Sequence, residues 1–238
     1  MRNLMYELES VSRLKEMVPY RKRRDEMLRK LCPALQDKVL KAIAGFRTIL
    51  GENLDDFQKL CLLYQMICEG GKYDYGDRKK SLSYSYLGAL KGLAVCAGYA
   101  DLFVLLVGDL TENYVPYRIS GYIAKDISLV KENDQGHAWV IIQDRKSGRA
   151  WQCDPTWDLG QRQYGYFFKT DREMSGRIWA TKYLPACTET FRGRIYTNRE
   201  KLDLLVEYYR SMPDRFASGD FSVCEISKKS CPDGHPIC

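Results

Sequence analysis

The sequence predicts an α+β protein in which a central cysteine-bearing helix packs on an antiparallel sheet, with a helical region at the N-terminus. Two observations predict it. Apolar residues recur at helical spacing through residue 107, and β-rich segments separated by turn sequences then run from Tyr114 to Lys169. Helices grouped in the first half and strands in the second are the α+β arrangement rather than alternating βαβ units.

In chain order, residues 3–50 are charged and helix-favouring, and Pro19 and Pro33 break them into two or three short helices. Asn53-Leu54-Asp55-Asp56 supplies an N-cap, after which Phe57, Leu60, Cys61, Tyr64 and Ile67 give one apolar face. Gly70-Gly71 ends that helix. The next helix is expected over residues 96–107, apolar nearly all round and therefore central, with Gly108 as its stop. Strands are expected over residues 114–122, 137–143, 149–154 and 164–169, and one more amphipathic helix over 199–212. This divides the chain into a helical region (1–52), a core region (53–187) and a C-terminal helix and tail (188–238).

Cys96 stands on the first turn of the central helix. The amides and partial positive charge at a helix N-terminus lower a cysteine pKa and can hold a developing oxyanion. Downstream, His137 begins one strand and Asp154 ends the next, with Asp144-Arg145-Lys146-Ser147-Gly148 as the turn between them. Folded about that turn, the two come close to opposite each other, so that Asp154 orients the imidazole and His137 serves as base to Cys96. The chain has two histidines in all, His137 and His235. Trp139 and Trp157 are candidates for core or cleft wall and, beyond that, for substrate contact.

Tyr86-Leu87-Gly88-Ala89-Leu90, Val95-Cys96-Ala97-Gly98-Tyr99-Ala100, Gly121-Tyr122, His137-Ala138-Trp139 and Asp154-Pro155-Thr156-Trp157-Asp158 occur in this order. Together they resemble the bacterial branch of the transglutaminase-like cysteine hydrolase superfamily, over about half of the chain, from near Phe57 to Met174. The resemblance implies a papain/transglutaminase-like fold and a Cys96, His137, Asp154 triad. It further implies acyl chemistry on peptide or side-chain amides, with no metal or organic cofactor. It leaves open hydrolysis, transamidation, glutamine deamidation, or peptide binding in an unproductive cleft. Tyr86 is the candidate for a further donor or substrate contact. Two positions depart from many relatives: Ala94 stands where they have glycine, and Val140 where they have asparagine.

With 238 residues, 45% of them hydrophobic, the chain can bury a sizeable core. Its N-terminus lacks the apolar stretch of a signal peptide, and no run reaches the ~18 apolar residues of a membrane span. A cytoplasmic protein with no membrane partner is therefore expected. Nine scattered cysteines fit reduced thiols, which a thiol nucleophile requires. Cys224, Cys231, His235 and Cys238 lack paired metal-ligand spacing and read as an ordinary tail. The net charge of +6 is mild, and its main cluster, Tyr20-Arg21-Lys22-Arg23-Arg24 with Arg29-Lys30, is interrupted by Asp25 and Glu26. That pattern suits a solvated helix face, so no nucleic-acid partner is expected; a peptide or protein substrate is what the resemblance implies.

Overall fold

A computed structural model describes residues 25, 27–29, 31–76, 81–124, 136–179, 181 and 184–216. The basic run at 20–24 and the tail with Cys224, Cys231, His235 and Cys238 lie outside them. Helices and an antiparallel sheet share one chain, as an α+β fold requires.

Pro33 opens helix α1 (Pro33–Leu50), where its missing amide removes no intrahelical bond. Leu35, Val39, Ala42, Ile43, Phe46 and Leu50 form its buried stripe. Asp55 caps α2 (Asp56–Gly70) in a reciprocal box: its side chain accepts from the Gln58 amide at 2.8 Å, and the Gln58 side chain accepts from the Asp55 amide at 3.0 Å. The sequence suggests a single apolar face for α2, yet every residue from Leu60 to Cys68 is buried. Helices pack on more than one side of it, α5 (Arg199–Arg210) among them.

A short parallel pair, β1 (Lys72–Tyr73) with β2 (Leu93–Ala94), flanks the one-turn helix α3 (Tyr86–Leu90) and leads into α4 (Cys96–Leu110). Helix α4 is central, as its composition predicts, and packs against α2, α3 and the sheet. Leu102, Phe103, Leu105, Leu106 and Val107 are almost wholly buried, each worth about 2 kcal/mol over exposure. Gly108 does not stop it. The helix continues to Leu110 with Thr111 as its cap, because burial of Leu110 outweighs the roughly 1 kcal/mol cost of an interior glycine.

The four-stranded sheet has the order β5-β4-β3-β6, from β3 (Tyr114–Ile123), β4 (Gly136–Asp144), β5 (Ala150–Cys153) and β6 (Arg177–Trp179). All its pairings are antiparallel. The β4–β5 turn is held by the Asp144 carboxylate, which accepts from the Lys146 amide and the Ser147 hydroxyl, and by Gly148 at φ 71°. Residues 164–169 do not form the expected strand. Tyr164 and Phe168 sit at φ 48° and 51°, so the segment turns back on itself and leaves only a bridge from Lys169 to Gln152. The opposite edge, beside β3, is taken by β6, three residues long and without a visible alternating pattern. The C-terminal helix breaks at Ser211 and restarts as α6 (Met212–Arg215), with Pro213 in its first turn. Among the described residues, no helix is long and apolar enough to cross a membrane.

Candidate active site

Cys96 is the first residue of α4, and Val95 before it is extended. The amides of Cys96, Ala97 and Gly98 therefore lack intrahelical acceptors and face the same end as the thiol. Gly98 lets this end seat deeply: a Cβ there would lie 2.8 Å from both the Ser85 carbonyl oxygen and the Ala94 Cβ.

His137 is the second residue of β4 and stands across from Gly121 of β3. Its Nε2 lies 2.6 Å from Asp154 Oδ2. Asp154 follows β5 directly; continuing the Val140 and Cys153 register places it diagonal to His137 rather than opposite, within side-chain reach. With Nε2 committed to Asp154, Nδ1 is the nitrogen left for the Cys96 thiol, which the imidazole is near enough to lower. The three predicted residues thus converge in one row at the start of α4. Cys96 is 2% exposed, His137 7% and Asp154 0%, so the row is shielded from bulk water.

The two oxygens of Asp154 do different work. Oδ1 accepts from the amides of Thr156 at 3.1 Å and Trp157 at 3.2 Å, which shapes the Asp-Pro turn. Oδ2 accepts from His137 and also from Arg177 Nη1 at 2.6 Å. Burial would raise this carboxyl, but the hydrogen bond and charge of His137 and the guanidinium of Arg177 hold it below the usual aspartate range.

Burial sets the other thiols apart from this one. It pushes Cys61 up to about 12 and raises Cys68, Cys153 and Cys187 as well. Burial works the same way at Cys96, yet its thiol falls below the ordinary 9.0. The hydrogen bond to His137, the imidazole charge, the Ala138 amide and the charge of Arg118 together outweigh desolvation. For His137, burial pulls down while the bonds to Asp154 and Cys96 pull up more strongly, leaving it at about 9. Both shifts favour the charged form over that of an isolated thiol or imidazole.

The tryptophans form the wall behind the imidazole. Trp139 is fully buried, stacks on His137 with ring centroids 5.8 Å apart, and donates from Nε1 to Gln152 Oε1 at 2.8 Å. Trp157 lies against the other part of the ring at 5.4 Å and is half-buried. Tyr86 is buried, and its hydroxyl is 3.5 Å from the Met27 carbonyl oxygen. Burial and the charge of Asp101 raise that phenol, which stays protonated as a donor. Val140 is fully buried on β4.

Sequence reasoning missed Arg177. It is one basic residue among many, in a segment with no periodicity, and only the pairing of β6 with β3 brings it to Asp154. No protein-family model matches the chain, and no characterised protein matches it in sequence.

Proposed function

We propose that the protein is a thiol-dependent amide hydrolase or acyltransferase with a papain-like, transglutaminase-like catalytic core, acting on peptides or proteins. The observation that carries this reading is the meeting of Cys96, at the start of α4, with an imidazole whose Nε2 lies 2.6 Å from the fully buried Asp154 carboxylate. A structural cysteine gains nothing from a hydrogen-bonded imidazole backed by a buried carboxylate.

The Cys96 thiolate attacks the amide carbonyl carbon, forming the C–S bond as the carbonyl electrons move to oxygen. Free amides of the first turn of α4 hold that oxyanion. As the tetrahedral adduct collapses, the C–N bond breaks and the imidazolium of His137 gives its proton to the leaving nitrogen. A water then attacks the thioester, His137 takes its proton, and the thiolate departs. Replacing water by an amine gives transamidation, and a glutamine side chain as substrate gives deamidation. Hydrolysis is preferred because water needs no acceptor subsite. The chemistry needs reduced cysteine, as all six described cysteines are, and suits a reducing compartment such as the cytoplasm.

Iodoacetamide labelling of the full chain, read cysteine by cysteine by mass spectrometry from pH 4 to 10, tests the reading. Access through the shielded site limits the absolute rate, and the thiolate fraction sets its pH dependence. Cys96 should keep labelling at pH 6, where an ordinary thiol near 9.0 is almost fully protonated. Labelling of Cys96 that rises only toward pH 9, as an ordinary thiol's does, would sink the proposal. Rapid labelling without turnover of any amide would favour the peptide-binding alternative.

A further inference from the structure

Arg177 does more than close the sheet edge. Its side chain is 2% exposed, and Nη1 donates to Asp154 Oδ2 at 2.6 Å. The guanidinium lies over Trp157 at 4.1 Å, Trp139 at 5.1 Å and Tyr166 at 5.5 Å. Two of these rings also pack against His137. Nη2 is buried with no hydrogen-bond partner among the described residues. A buried cation with an unmet donor is a poor source of stability, because desolvation offsets most of what its one ion pair returns. Its position explains it better.

We infer that Arg177 is a positioning residue of the site: clamped by the three rings, it fixes Asp154 and divides the charge of Oδ2 between itself and His137. The inference rests on the thiol and imidazole reading above.

Both donors reach the same oxygen at 2.6 Å, so guanidinium and imidazole are at most about 5 Å apart at their nearest nitrogens. The cation keeps Asp154 ionised and favours the thiolate, while it opposes the imidazolium. Without it, the anion of Asp154 is undivided: the imidazolium holds its proton to higher pH, and the thiol is harder to ionise. Among the described residues, the other charged and titratable groups near the row include Arg118 of β3, toward Cys96 and paired with Asp101 of α4 at 3.1 Å, Tyr166 against the guanidinium, and, toward Asp154, Cys68 of α2 and Asp158 in the turn after β5. None of these donates to Oδ2, so none replaces Arg177 there.

The test is the labelling profile of Cys96 with iodoacetamide in the full chain for the parent, Arg177→Met, Arg177→Gln and Arg177→Lys, with melting temperatures measured in parallel. Loss of the charge in the Met and Gln variants should move the acid limb of the profile up by about one pH unit, and Lys should restore most of it. Should Met fail to fold, Gln reads the same loss with a planar donor in place. Folded Met or Gln variants that melt lower but label along the parental profile would reduce Arg177 to a structural residue and overturn the inference. A parent lacking a depressed acid limb fails the thiolate reading itself, before any variant is compared.

Discussion

At Asp154 the turn-forming and the orienting duties fall on separate oxygens of one side chain. Asp154→Asn separates them. The amide oxygen can stay at the Oδ1 position and keep the turn, which puts its NH2 against two donors, His137 and Arg177. Activity should fall about 10- to 10³-fold with a folded protein. That is less than the ~10⁴ lost when a serine triad has its aspartate replaced in this way, because a thiol and imidazole pair depends less on its third member. Turnover within twofold of the parent would remove Asp154 from the site. Cys96 and Asp154 were legible from sequence because few residues in the chain combine with one of only two histidines. Arg177 was not, since a lone arginine carries no signal until the strand that bears it is paired.

Strand β3 is the element on which the site is assembled. Gly121 pairs with His137 on one side and Trp179 on the other. A Cβ there would lie 2.2 Å from the Ile178 carbonyl oxygen and 2.7 Å from the Trp139 ring. Gly121→Ala should therefore lower stability by about 1–3 kcal/mol, the usual cost of overpacking, and push β6 outward. Its labelling profile should then approach that of Arg177→Met, and an alanine variant with parental melting and profile would show that β6 does not depend on this close approach. The hairpin of β4 and β5 was readable because alternation and a turn sequence coincide in it. Residues 164–169 have strand-like composition but two residues at positive φ, and β6 is too short to carry a period; in both, long-range packing decides.

For the whole molecule, the paired groups link stability to pH. Asp154, depressed in the fold, adds stability above its unfolded pKa near 3.8 that is lost as pH falls through the lower folded value. His137, raised from 6.5 to about 9, adds stability that is full below 6.5 and is lost as pH rises toward 9. The depressed Cys96 thiol works the other way: its share of stability grows as pH rises through its lowered folded value toward 9.0 and offsets part of the His137 loss. Cys96→Ala removes that offset. While Asp154 still holds the imidazole up, the melting temperature of the variant should fall more steeply than the parent's as pH rises toward 9, by up to about 1.4 kcal/mol per pH unit of unmatched proton. Parallel curves would mean that the native thiol is protonated. The row of groups also spans from residue 96 to residue 177 of the chain. During synthesis Cys96 emerges long before its imidazole, its carboxylate and its guanidinium exist, and until then it is an ordinary thiol near 9.0. The lowering of that thiol is thus a property of the closed fold alone, acquired only when the sheet packs over α4 and brings His137 to it.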